Sequence, residues 1–158
     1  MTLRLVAAIL ILGAVHKSAP RPVVTPVLAV VVSRSQTLTS MSLSDLRRVY
    51  LGLITRWPDG GRIVPVVLPP NTIEERLFLK RVLQMADIDY AQHWIGQIFR
   101  GRVAGPPYTA ASSPAARAFV AAHRDAIAFI DAADVDGSVR VLAIRGKGPE
   151  ESDDLLAP

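Results

Sequence analysis

Residues 42–60 read Ser42-Leu-Ser-Asp-Leu-Arg-Arg-Val-Tyr-Leu-Gly-Leu-Ile-Thr-Arg-Trp-Pro-Asp-Gly60 and carry the clearest local signals in the chain. Ser42 is followed three residues later by Asp45, a variant of the capping box that predicts the first turn of a helix. Apolar residues then recur at helical spacing until Gly52, which is typical of the residue that follows a helix. Pro58-Asp-Gly-Gly61 predicts a tight turn. This stretch is therefore one helix, a short connection and a turn.

Apolar runs on both sides of residues 42–60 predict strands. Val27–Val32 is continuous and rich in β-branched residues, as in strands that are buried on both faces. Ile63–Leu68 is a second such run, and its internal Pro65 places it at a sheet edge or at a strand start. Residues 126–131 and 139–144 predict two closing strands. Strands mixed with helices in this order predict a layered α/β domain, a mixed sheet flanked by helices.

Three further helices are predicted between these strands. The first is capped by Asn71 and spans about residues 71–86, and the second spans about 89–99. The third spans about 113–123, with Ser113 as its N-cap. The apolar face that the second helix is expected to bury consists of Tyr90, Trp94, Ile95 and Ile98.

Composition and charge exclude several classes of protein. The chain has 158 residues, of which 50% are hydrophobic and 20% are charged, so one globular domain is expected. The formal charge is +4, but residues 1–19 contain two basic residues and no acid. Basic residues elsewhere are scattered singly or in pairs such as Arg47-Arg48, without the aromatic-interleaved stripes of nucleic-acid binders. No nucleic-acid partner is predicted.

The sequence offers no basis for a catalytic or metal centre. It contains no cysteine, and His16, His93 and His123 lie far apart without a metal-binding spacing. The nucleophile elbow, the phosphate-binding P-loop, the dinucleotide fingerprint and the zinc-protease motif are all missing. No enzymatic activity and no cofactor are predicted.

The N-terminus resembles a targeting segment. An apolar run follows Arg4, which predicts a signal peptide or an N-terminal anchor over residues 1–19. An ordinary buried helix is the alternative. A proline-rich linker is predicted over 20–26, the folded domain over 27–145 and a loose polar tail over 146–158. The protein is therefore expected to be periplasmic or secreted, either released or held at the membrane through its N-terminus.

The strand-to-helix junction at residues 68–76 is the first candidate ligand site. Helix starts that follow a strand favour anions, because unpaired N–H groups and the helix dipole point at the ligand. Thr72 can add a hydroxyl and Arg76 a counter-charge. The alternative is that Asn71 and Glu74 form a capping box, which satisfies those N–H groups internally. The predicted ligand-binding residues of this junction are Asn71, Thr72, Ile73 and Arg76.

A second polar cluster follows the first predicted strand. Ser33, Arg34, Ser35 and Gln36 come directly after the apolar run, where open α/β sheets often bind ligands. Ser33 and Ser35 are its candidate ligand-binding residues, and an ordinary solvated loop is the alternative.

Several of these residues also match a known family. Tyr50, Gly52, Ile54 and Trp57 follow the pattern of phosphate-type substrate-binding proteins of ABC transporters, an aromatic residue, Gly, Ile and Trp before a glycine turn. Residues 125–130 resemble a later strand of that family, and the resemblance covers about 27–144. It implies the fold of one lobe of a type II periplasmic binding protein.

The sequence departs from that family at ligand-contacting positions. Members that trap phosphate hold it between two lobes, partly through a Ser-Gly-Thr loop, and this chain has room for about one lobe. The corresponding segment is Asn71-Thr72-Ile73, in which Thr72 alone keeps a hydroxyl, and Ala128 and Phe129 replace Gly and Tyr.

Two functional hypotheses follow. The resemblance implies an exported, non-enzymatic solute-binding domain that takes phosphate or a related oxyanion for ABC-type uptake and meets an ABC permease. The alternative is an envelope protein-interaction module on the same fold, with no small-molecule ligand. Because the chain is short, a homodimer that supplies the second lobe is a further hypothesis.

Overall fold

The computed structural model describes residues 26–145, which fold around one five-stranded sheet. The strands are β1 Leu28–Ser33, β2 Ser40–Ser42, β3 Val64–Val67, β4 Tyr108–Thr109, β5 Ala126–Asp131, β6 Val139–Val141 and β7 Ala143–Arg145. The helices are α1 Leu43–Tyr50, α2 Ile73–Phe78, α3 Asp87–Phe99 and α4 Ser113–Ala122. A π-helical turn, Leu79–Leu83, continues α2, and a 3-10 turn, Ala132–Asp134, follows β5.

The sheet is mixed, with strand order β4-β3-β5-β1-β6. β3 runs parallel to β4 and β5, whereas β1 runs antiparallel to β5 and β6. All six residues of β1 are buried, because it lies inside the sheet and is covered on both faces. β2 and β7 form a separate parallel pair. This architecture confirms the predicted mixed sheet flanked by helices.

Two helices end in the same hydrogen-bonded motif. After α1, the N–H of Gly52 donates to Val49 and that of Leu53 to Arg48, while Gly52 takes a left-handed φ of +68°. After α3, Gly101 takes φ +65° with the equivalent pair of bonds. Both ends are Schellman motifs, in which glycine adopts the left-handed conformation at the least cost. The predicted helix end at Gly52 is confirmed.

Three aromatic rings join the helices to the sheet. Phe78 of α2 stacks on Phe129 of β5 with centroids 3.9 Å apart, and Tyr50 of α1 packs edge-on against Phe78. The buried hydroxyl of Tyr50 lies 3.2 Å from the carbonyl oxygens of both Val66 and Ile127. Because the hydroxyl has one proton, it donates to one of these strands at a time. Tyr50 thus ties α1 to β3 and β5.

The helix predicted over 71–86 differs from the observed one. Its N-cap is Thr72 rather than Asn71, because Asn71 takes a left-handed φ of +70° and turns the chain before the helix begins. Asparagine tolerates this conformation better than most residues. The predicted capping box of Asn71 and Glu74 is therefore wrong by one residue. Regular α-helix also stops at Phe78, where the π-helical turn takes over.

The buried face predicted for the next helix is also partly wrong. Trp94 is buried as expected, but Ile95 and Ile98 are 55% and 39% exposed. The reason is that α3 docks through the face that carries Trp94, His93 and Gln97, where Nε2 of His93 lies 2.8 Å from the carbonyl oxygen of Leu51 at the end of α1. That contact turns the isoleucine face of α3 outward.

Smaller differences concern the last elements. The third predicted helix is capped by Ser112 rather than Ser113, whose hydroxyl instead accepts the backbone N–H of Asp131 at 2.8 Å. The predicted strand over 139–144 divides into β6 and β7, which pair with different partners. The predicted signal peptide or anchor and the tail lie outside the described residues, as does nearly all of the linker. None of the helices between residues 26 and 145 is long and apolar enough to cross a membrane.

Candidate functional site

The turn before α2 brings the first set of predicted site residues together. The Thr72 hydroxyl donates to the carbonyl oxygen of Pro69 at 3.0 Å and accepts the Glu75 N–H at 3.3 Å. Ile73 is 45% exposed, Asn71 is exposed, and Arg76 is exposed without an ion pair to any described residue. The threonine hydroxyl is therefore engaged in capping, while the Arg76 guanidinium is open to solvent.

Glu75 is the unusual group at this turn. Its carboxyl is buried, and its Oε2 has no hydrogen-bond partner. Burial, and then the nearby charge of Asp87, raise the pKa of the Glu75 carboxyl above its ordinary value of 4.5. A buried carboxyl without a full set of partners disfavours its own ionised form. It also places negative potential beside the predicted anion site.

A cavity of about 130 Å³ opens beside this turn, at the end of β3. Glu75 and Asp87 line it together with Tyr90, Thr109 and apolar side chains. The Tyr90 hydroxyl donates to the Tyr50 carbonyl oxygen at 3.1 Å, and burial raises the pKa of Tyr90. The cavity is therefore small, mostly apolar and acidic, which does not favour an anion inside it.

The second set of predicted site residues lies at the other end of the sheet. β1 runs antiparallel to β5, so Ser33 lies near the start of β5, whereas the turn before α2 lies near its end. The hydroxyls of Ser33 and Ser35 are 2.9 Å apart, and Ser33 itself is buried. The two predicted clusters thus form two separate places rather than one site.

A larger cavity of about 760 Å³ lies beside the start of β3. Arg56, Arg62 and Arg102 line it, with Trp94 and Tyr108 among its aromatic and apolar walls. Sequence reasoning did not find this place, because its arginines are distant in sequence and come together only in the fold. One local signal existed, namely that an arginine stands on each side of the predicted turn at 58–61.

The structure offers no metal centre in residues 26–145, where no three potential ligands cluster. His93 contacts the end of α1, as described above. His123 lies at the C-terminus of α4, with its ring stacked on Phe119 at 3.9 Å. Both histidines have structural roles in this part of the chain.

Several solved structures have a fold similar to that of this chain. A phosphate ABC transporter substrate-binding protein from Clostridium perfringens, solved with bound phosphate, matches with a TM-score of 0.61 and 17% identity. An ABC-type phosphate transport receptor from Vibrio cholerae matches with a TM-score of 0.62 and 20% identity. PstS from Borrelia burgdorferi matches with a TM-score of 0.61 and 12% identity. The chain has the fold of a phosphate-type binding-protein lobe.

The extent of these matches supports the assignment to a lobe. They cover 75%, 79% and 79% of this chain but 45%, 48% and 49% of the respective solved structures. The chain thus spans about half the length of the proteins it resembles. No protein-family model matches the sequence, and no curated protein matches it at a significant level of sequence similarity.

The matching residues between 50 and 57 have structural roles in this fold. Gly52 ends α1 in the left-handed conformation, and Trp57 is buried, with its indole N–H donating to the Asp125 carbonyl oxygen at 3.2 Å. Ala128 and Phe129 are both buried inside β5. These residues hold the lobe together.

Proposed function

We propose that this chain is an exported, non-enzymatic solute-binding domain whose ligand is phosphate or a related small oxyanion, taken up with an ABC permease. The observation that carries the proposal is the fold, which resembles two proteins named for phosphate transport. Residues 71–76 are the proposed contact, with Thr72, Ile73 and Asn71 contributing polar backbone or side-chain groups. Arg76 supplies the positive charge.

The electrostatics of the turn set how strongly an anion would bind there. Arg76 is free to swing toward a ligand, and its planar guanidinium matches an oxyanion with two parallel hydrogen bonds. Glu75 opposes binding when it is ionised, because like charges repel more strongly where water is excluded. We therefore expect weak binding that strengthens when Glu75 is neutral.

The experiment is calorimetric titration of the full chain with phosphate at low ionic strength, with sulfate as the control anion. Phosphate binding, even if weak, that is lost in Arg76→Gln and strengthened in Glu75→Gln would support the proposal. Thr72→Ala removes the hydroxyl of the proposed contact and should also weaken phosphate binding. Thr72→Ser keeps the capping hydroxyl and is its matched control. The proposal is wrong if neither anion gives heat up to millimolar concentrations.

The second candidate function is a protein-interaction module, and the outer face of α3 favours it. Ile88, Ile95 and Phe99 lie on that face and are 63%, 55% and 87% exposed. Their spacing of seven and then four residues forms one apolar stripe along the helix. Contiguous apolar surface of this kind often marks a protein contact.

The first partner to test is a second copy of the chain, because an apolar stripe on one copy can pack against the same stripe on another. Light scattering of the full chain across a concentration series would show a dimer, which Phe99→Ser should shift to monomer. Val27→Ser, which removes an exposed apolar residue just before β1, is the control. A monomer at the highest concentration removes the self-association form of this candidate.

A further inference from the structure

The cavity beside the start of β3 is built from three arginines that come from two separate parts of the chain. Arg56 and Arg62 lie directly opposite each other in an antiparallel bridge that closes the turn at 58–61. Arg102 comes from the loop that follows α3. All three line the same cavity of about 760 Å³.

Arg56 and Arg62 place two positive charges on the same side of the bridge, and Nη1 of Arg56 also donates to the Gly60 carbonyl oxygen at 2.9 Å. Residues that face each other across an antiparallel bridge have side chains on the same side, where like charges destabilise the pair. None of the described residues that line the cavity is acidic. The nearby Asp59 is already paired, with its Oδ2 2.8 Å from Nη2 of Arg124. The positive charge of the cavity therefore lacks a counter-ion among its own walls.

The remaining walls of the cavity are mostly apolar, and two of their aromatic rings are packed against neighbouring residues. The ring of Trp94 approaches so closely that a Cβ atom on Gly52 would lie 3.0 Å from its Cη2 atom. On the other side, the ring of Tyr108 stacks on Phe119 at 4.1 Å. A volume of this size accommodates an organic molecule rather than a bare inorganic ion. The cavity thus offers an apolar surface edged by guanidinium groups.

We infer that this cavity binds an organic polyacid, a small molecule with two or three carboxylate or phosphate groups on an apolar frame. Guanidinium groups recognise such acid groups through paired hydrogen bonds, and three of them favour a ligand with several charges. The inference is independent of phosphate binding at residues 71–76. The two places use different arginines, so variants can separate them.

The test is calorimetric titration of the full chain with benzene-1,3,5-tricarboxylate, which carries three carboxylates on a flat apolar ring. Citrate has three carboxylates on a polar frame, and benzoate has one on an apolar ring. The inference predicts the tightest binding for the ring tricarboxylate, weaker binding for citrate and the weakest for benzoate. Added salt should weaken all three, because the contacts are electrostatic and partly exposed.

Arginine variants locate the site. Arg62→Gln and Arg102→Gln should each weaken binding of the ring tricarboxylate about tenfold or more, the usual size for loss of a charge-assisted hydrogen bond. Arg81→Gln makes the same change in net charge on an exposed residue outside the cavity and should leave binding unchanged. Thr72→Ala should also leave it unchanged, which separates this inference from the proposed phosphate site.

Two results would overturn the inference. One is no measurable binding of the ring tricarboxylate at millimolar concentration and low salt, with the chain shown to be folded by circular dichroism. The other is binding that Arg62→Gln and Arg81→Gln weaken to the same extent, since this would reveal a general charge effect.

Discussion

Three glycines allow the backbone cost and the packing cost of a fold-defining position to be measured separately. Gly52 has a left-handed φ of +68°, and an added Cβ would lie 3.0 Å from atoms of both Trp94 and Val103. Gly101 has φ +65° but no atom within 4 Å of its added Cβ. Gly105 has neither feature. Gly101→Ala therefore measures the backbone cost alone, and Gly52→Ala measures the backbone cost together with the packing cost. Gly105→Ala is the control for both.

The expected losses follow from these geometries. Gly101→Ala should lower the free energy of unfolding by about 1 kcal/mol, because a left-handed residue with a Cβ costs about 1–2 kcal/mol and a less flexible unfolded chain offsets part of it. Gly52→Ala should lose about 1–3 kcal/mol more, since a Cβ forced into a packed wall strains its neighbours. Gly105→Ala should change stability by no more than about 0.5 kcal/mol.

The assay is urea unfolding of the three variants and the unchanged protein, followed by circular dichroism at one temperature and pH. Equal losses in Gly52→Ala and Gly101→Ala would refute the contact argument, and equal behaviour of Gly101→Ala and Gly105→Ala would refute the backbone argument. A change in the slope of the urea dependence would show that the denatured or native state itself had altered.

Further expectations concern buried polar groups. Glu75→Gln should stabilise the protein at pH 7, because it removes the desolvated negative charge that lies beside Asp87. Folding raises the pKa of Glu75, so the native protein binds this proton more tightly than the unfolded chain does. The native state therefore gains stability as the pH falls through the raised pKa toward 4.5. In urea unfolding, the stability difference between Glu75→Gln and the unchanged protein should shrink on acidification. Tyr50→Phe should cost about 0.5–1.5 kcal/mol in the same assay, since the hydroxyl bond to β3 or β5 is lost without creating a cavity. A loss above about 3 kcal/mol would contradict that account.

Local sequence patterns predicted the fold well where short-range physics decides it. The cap at Ser42, the glycine end at Gly52 and the buried run of β1 all depend on neighbours in sequence, and the structure confirms them. The matching residues from 50 to 57 also indicated the correct fold. These signals are local and strong.

The errors arose where tertiary contacts outweigh local patterns. Asn71 and Thr72 are both good caps, and the choice between them depends on the left-handed turn after Pro69-Pro70. The apolar residues Ile95 and Ile98 suggested burial, but α3 docks through the neighbouring face that carries Trp94, His93 and Gln97. The charge pattern alone also gave no sign that Arg102 would join Arg56 and Arg62 at one cavity.

The central claim is that this binding-protein lobe is itself a receptor for a small oxyanion. Hydrogen exchange followed by mass spectrometry, on the full chain with and without millimolar phosphate, tests it most directly because it reports binding and location together. The account predicts that phosphate slows exchange in the peptides that cover residues 71–76. In the Arg76→Gln variant, phosphate should leave exchange in those peptides unchanged. Unchanged exchange throughout residues 26–145 at saturating phosphate would contradict the claim and favour the protein-interaction module.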